Sequence, residues 1–285
     1  MSILGITLLL PLAGFLLLLF VPRDSKAAWP VALVVSLATF LASLGLISPA
    51  LAAPAAPSSA IDLMWVESAN IHFHIGVDGI NLWLILLTTL LLPIGIWISD
   101  SMIRQRKNGF LALLLLFEFG LIGVFSALDL FVFYVFWEVA LIPMYLMVGG
   151  WGGPRKVYAA VKFFVFTLAG SVMMLTAILY VANRAGTFDY TEILNALTTG
   201  TLVLSGQEQL LLFLGFFGAF AVKVPIFPLH TWLPVTYVEA PAPATFLLAA
   251  VMSKMGAYGL IRFAVPVFPS AAPAFTDWNV VVAFI

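Results

Sequence analysis

Runs of about 20 mostly apolar residues, each long enough to cross a bilayer as a helix, recur along this chain with short breaks between them. They cover roughly 3–22, 27–48, 77–98, 109–127, 129–149, 159–182, 207–238 and 243–265. Hydrocarbon offers no partner to a backbone amide, so segments of this kind fold as helices that satisfy their own hydrogen bonds. The expected fold is all-α: a polytopic transmembrane helix bundle of eight spans, with a ninth beginning near Asp277 and stopping at Ile285 inside an apolar run. Such an ending is expected of a fragment of a longer chain. A composition of 63% hydrophobic and 9% charged residues, with mean hydropathy +1.14, excludes a soluble domain. The N-terminal run lacks a basic flank and is too long for a signal peptide, so it reads as a retained first helix.

Turn chemistry falls where the spans end: 22–25, the Ala/Pro/Ser tract 48–60, Gly149–Pro154 and 266–273. Only Ser126–Asp129 separates spans four and five. After the proline-rich tract, IDLMWVESANIHFHIG alternates as a short surface hairpin would, with His72 and His74 on one face. This pair is expected to be a solvated surface feature without a carboxylate partner. With three histidines and no cysteine in the chain, a metal cluster is not expected, nor is any cofactor. A net charge of −1 and the lack of a basic stripe exclude nucleic acid as a partner. Nothing resembles a nucleophile–base pair or a phosphate loop.

Eight of the twelve lysines and arginines fall in or beside alternate loops: Arg23, Lys26, Arg104, Arg106, Lys107, Arg155, Lys156 and Lys162. That bias places the loops after spans one, three and five in the cytoplasm and the N-terminus outside. Arg184 and Arg262 are read as charges on the outer side.

Lys223 and Lys254 are left within the hydrocarbon, where an ammonium costs about 2.5–3.5 kcal/mol on insertion scales. Glu118 and Glu138 accompany them, each near the centre of its span. Four ionisable groups at one depth read as a lateral row of protonatable side chains. Two prolines, Pro225 and Pro228, follow Lys223 and should break span seven beside it, freeing the carbonyls of Ala221 and Val224 for water or a cation. His230 is expected one helical register below the lysine. In such a row the charge of Glu138 holds the proton on Lys223, Glu118 sets the charge of Glu138, and released protons pass along water toward His230 or Lys254. Gly120, Gly123, Gly149, Gly150, Gly170 and Gly256 read as points of close helix packing.

The runs FYVFWEVALIPMYLMVGGWG, AAVKFFVFTLAGS, FAVKVPIFPLHTWLP, VEAP and SKMGAYGLIRF resemble the antiporter-like proton-pumping subunits of NADH:quinone oxidoreductase, respiratory complex I, and most of all the M type. GVDGINLWL at Gly76–Leu84 adds to the resemblance, which is weak before Gly76. It implies that Glu138, Lys223 and Lys254 carry the proton path, with Glu118 and His230 in matching positions. It also implies fourteen helices arranged as two inverted repeats, of which this chain holds the first: an N-terminal part at 1–108, the repeat at 109–265, and a loop with the start of a ninth helix at 266–285. On this resemblance the chain has no redox site of its own. Its partners are other membrane subunits of a respiratory complex, internal water, protons and the lipid bilayer, in a bacterial plasma (inner) membrane. Related cation/proton antiporters and membrane-bound hydrogenases share the same Glu and Lys. The chain departs from the family at LPVTYVEAP, where Val235 and Tyr237 replace polar or titratable residues and put the usual proton entry in doubt.

Overall fold

In the computed structural model, which describes residues 2–22 and 25–275, the apolar runs become helices nearly as spaced. They are α1 (Ile3–Phe20), α2 (Ala28–Leu44) with the short α3 (Ile47–Ala52), α4 (Asn81–Met102), α5 (Lys107–Ser126), α6 (Leu130–Trp151) and α7 (Lys156–Ala185). A short α8 (Tyr190–Thr198) precedes α9 (Gly206–Lys223) and α10 (Leu233–Glu239), the two halves of the seventh span. The last described span is α11 (Ala242–Val267), which contains π-helical turns at Leu248–Met252 and Leu260–Ala264. Among the described residues seven helices are long and apolar enough to cross a membrane, and the broken α9–α10 pair accounts for the eighth expected span. The start of a ninth span near Asp277 lies outside the described residues, as does Arg23.

Helix α4 begins four residues later than expected. Asp78 Oδ1 accepts from the amides of Ile80 and Asn81, and Asn81 Oδ1 accepts from the Asp78 amide, so GVDG forms a tight polar turn instead of a first helical turn. The segment before it is the anticipated hairpin. β1 (Ser58–Val66) pairs antiparallel with β2 (Ile71–Val77), Ile61 opposite Ile75 and Leu63 opposite Phe73. Among the described residues it forms a single two-stranded sheet beside the helices.

At the centre stands α5. Of its most apolar stretch 78% is buried, against 28–56% for the six other spans, so it is the helix the bundle wraps around. Gly120 lets it do so: a Cβ there would lie 2.9 Å from the Ala140 backbone, so α5 and α6 meet backbone to backbone.

The tight turn between α5 and α6 is secured from outside itself. Asp129 caps α6 by accepting from the amides of Phe131 and Val132. The amide of Leu128 donates to the His74 carbonyl (2.9 Å) and the amide of Tyr190 to the Leu128 carbonyl (2.8 Å). The hairpin, the α5–α6 turn and the start of α8 are therefore laced together at one end of the bundle.

Candidate functional site

The site grows from the end of α9. Its ladder runs to Val224, whose amide reaches Phe220; Pro225 then removes the next donor. The chain crosses 224–232 without helix, through a cis Phe227–Pro228 bond, and resumes at α10. The freed carbonyl of Ala221 is not open to water as the sequence implied, because the Ile226 amide donates to it (2.8 Å). The indole of Trp232 donates to the carbonyl of Val222 (2.9 Å). Internal donors thus satisfy these carbonyls at the break.

Lys223 is the last residue of α9 and is 2% exposed. Its ammonium nitrogen has no hydrogen-bond partner among the described residues and lies 5.5 Å from the ring of Trp137 on α6 and 5.3 Å from that of Phe163 on α7. Two aromatic faces and the negative end of a helix dipole are what the fold supplies to this cation. Glu138 follows Trp137 on α6, and its Oε1 is buried and unpartnered. The two side chains form no direct ion pair among the described residues, yet each lies within range of the other's charge.

The other expected members of the row are placed differently. Glu118 is fully buried on α5, where Oε1 accepts from Ser36 of α2 (3.3 Å) and Oε2 has no partner. Its hydrogen bond thus runs to α2, not to α6. His230 sits in the non-helical crossing, stacked on Phe227 (5.6 Å between centroids) with Nδ1 buried and unpartnered. It is not a register below Lys223, because no helix continues there. Lys254 is exposed on α11, donating to the carbonyl of Ala249 (2.8 Å) and to Ser253 (3.2 Å). Two residues on, Gly256 faces Lys223: a Cβ there would lie 2.7 Å from the Phe220 carbonyl and 3.0 Å from Lys223 Cβ. Residues two apart on a helix point about 200° apart, so seating Gly256 on α9 turns Lys254 away. Glu138 and Lys223 thus lie within range of each other's charge without a direct bond, whereas Glu118 bonds α2 and Lys254 is exposed on α11.

At the α10 end, Glu239 of VEAP is 6% exposed and accepts from the amide (2.8 Å) and Nε (3.3 Å) of Arg155. Its carboxylate is held by the protein and not left to order water beside Tyr237.

Sequence reasoning missed a second set of ionisable groups. Arg262, read as an outer loop charge, is 8% exposed; it donates to Asp78 (2.5 Å) and lies over the Tyr190 ring (5.0 Å). The histidine pair also has carboxylates, contrary to expectation. His72 Nδ1 bonds Asp62 (2.7 Å), and His74 Nδ1 bonds Asp189. Burial pushes the Asp189 carboxyl up, but bonds from His74, Thr191 and the Glu192 amide outweigh it and hold it down at about 2. The same Asp189 bond raises His74 above its ordinary value, against the opposing effect of burial. Burial raises Asp129. The readable signal was weak: an Asp before a helix start, and an Arg inside an apolar run.

Residues 127–285 match the family model described as NADH:quinone oxidoreductase/Mrp antiporter, TM. The chain is 41% identical to NADH-quinone oxidoreductase subunit M of Rhodobacter capsulatus, with 97% of this chain and 56% of that protein aligned. It is likewise 41% identical to NADH-ubiquinone oxidoreductase chain 4 of Arabidopsis thaliana, covering 95% of this chain and 54% of that one. A chain of respiratory complex I from Thermus thermophilus with bound NADH superposes with a TM-score of 0.85 at 32% identity, over 98% of this chain and 56% of that chain. The chain thus spans a little over half the length of these relatives. It is an integral, multi-pass membrane protein that belongs to the NADH:quinone oxidoreductase/Mrp antiporter transmembrane family and resembles the antiporter-like M subunits of complex I.

Proposed function

We propose that the chain is part of a proton-translocating membrane subunit of NADH:quinone oxidoreductase, with Lys223 and Glu138 as its central proton-transfer pair. The observation that carries this reading is the state of Lys223: buried, without a hydrogen-bond partner, at the end of a broken helix, and within range of one acid. A purely structural lysine in hydrocarbon would be expected to hold a partner, since an unpaired buried charge is costly. A negative Glu138 supplies the counter-charge that lets Lys223 keep its proton. When Glu138 takes up a proton or its charge moves off, the ammonium loses that support and passes its proton on. His230, in the non-helical crossing after the break, and Lys254, on the surface of α11, serve as the next stations, and Glu118 acts as a separate buried acid on α5.

In this reading the chain binds no cofactor and does no redox chemistry. Partner subunits of the respiratory complex, in a bacterial inner membrane, supply the driving force. The family also contains cation/proton antiporters, for which the same pair would serve ion exchange.

The test is proton pumping by the full-length, assembled complex carrying Lys223→Ala or Glu138→Ala. Loss of most pumping with assembly intact is expected. Normal pumping in either variant would overturn the reading, and joint loss of assembly and pumping would favour a scaffold role for the charges.

A further inference from the structure

On the face that carries most of the lysines and arginines, α5, α6 and α7 leave an open groove of about 410 Å³. Its walls are apolar, formed by Leu113, Tyr145, Leu146, Val157 and Ala160, and Arg106 and Trp151 stand at its mouth. The Arg106 guanidinium lies 4.8 Å from the Trp151 ring and donates to the Gly150 carbonyl (2.9 Å). Lys156 donates to that same carbonyl (3.1 Å). Two positive charges are therefore held side by side on one neutral acceptor.

Their neighbours are treated otherwise. Lys107 pairs with Asp100 and Arg155 with Glu239, whereas neither Arg106 nor Lys156 has a carboxylate partner among the described residues. Two adjacent cations repel each other unless an anion joins them, and the first turn of α7, where Lys156 sits, adds the positive end of a 30-residue helix. Below the charges the walls descend into the span: Leu113 is seven residues, about 10 Å, along α5 from Arg106. Charge above, an indole at the rim and an apolar trough beneath match a headgroup and its chain at the leaflet boundary.

We infer that this groove binds one anionic glycerophospholipid, its phosphate on Arg106 and Lys156 and an acyl chain against Leu113, Leu146 and Val157. An apolar helix from a neighbouring subunit would fill the trough but leave both cations uncompensated.

The test places a photoreactive amino acid at Leu146 in the full-length, assembled complex, reconstituted in bilayers of phosphatidylcholine with a minor share of phosphatidylglycerol. The mass of the crosslinked adduct identifies the occupant. Enrichment of the phosphatidylglycerol adduct over its share of the bilayer is expected. Arg106→Gln with Lys156→Gln should cut that enrichment roughly tenfold or more, and Val157→Trp, on the exposed side of the groove, should displace lipid with both charges intact. The site is overturned by adducts in proportion to bilayer composition, by adducts to a protein subunit, or by enrichment that survives the double substitution. Competition by free glycerol phosphate as effective as that by lipid would also overturn it, since an anion site alone needs no trough.

Discussion

The guanidinium of Arg262 and the carboxylate of Asp78 lie 2.5 Å apart although 184 residues separate them, and both are nearly buried. This bond ties the turn before α4 to the π-helical end of α11. Removing one member of such a pair leaves an uncompensated buried charge, at about 3–5 kcal/mol, whereas replacing both can be close to neutral. Asp78→Asn or Arg262→Met should therefore destabilise the assembled protein by a few kcal/mol and the double variant by clearly less. Thermal unfolding of the purified protein in a mild detergent, read as a double-mutant cycle, checks this.

His74 and Asp189 set a pH window for the end of the bundle that carries the hairpin. Because His74 is raised in the folded protein, its contribution is complete below its ordinary value of 6.5 and is lost as pH climbs through the higher folded value. Because Asp189 is held down at about 2, its contribution is present above its ordinary 3.8 and is lost as pH falls toward 2. The protection of amides in residues 186–198, taken relative to their intrinsic exchange at each pH, should be greatest between those limits and should fall on either side. His74→Gln should remove about 1.5–3 kcal/mol of local protection, the scale of a hydrogen bond to a charged group, and should flatten the alkaline side of the profile.

Lys223→Arg separates charge from proton exchange. Guanidinium can occupy the aromatic niche of Trp137 and Phe163, but it does not give up its proton in proteins. Assembly should be kept while proton pumping by the full-length complex falls nearly as far as with Lys223→Ala. Pumping close to the wild-type rate would show that Lys223 acts only as a fixed charge.

Gly256→Ala tests the close approach of α11 to α9. With backbone oxygen 2.7 Å from the new methyl group, the helices must separate, at about 1–3 kcal/mol for overpacking of this kind. Pumping should fall along with stability, since the same shift moves Lys223. Gly206→Ala, at a position with nothing near the added methyl, serves as the control and should do neither.

Spans and the break were legible in the sequence because they depend on local chemistry: apolar length, and prolines that forbid the next hydrogen bond. The α5–α6 turn lies at Ser126–Asp129, where the sequence left the least room for one; the capping role of Asp129 emerged only in the structure. What could not be read was direction and long-range pairing. Lys254 lies just past the π-helical turn at Leu248–Met252, where an inserted residue swings every later side chain by roughly 100°, so a regular helical count gives no reliable facing. Arg262 and His74 each found a partner more than a hundred positions away, and no periodicity encodes that. Of the four charges read as one row, Glu118 bonds Ser36 of α2 and Lys254 is exposed on α11; depth is a property of length, whereas azimuth depends on how each pair of helices packs.

The lacing of β2, the Ala127–Asp129 turn and the Asp189 corner has an implication for how this protein tolerates change. Ile75 bridges Ala127, and Asp129 bridges Asp189, so three crossings of the outer surface share one register. A single-residue insertion in any of them would pull the backbone hydrogen bonds to its neighbour out of line. Backbone there is thus locked between segments far apart in the sequence, whereas several contacts at the opposite loops, such as Trp151 to the Gln105 carbonyl and Arg106 to the Gly150 carbonyl, run through side chains.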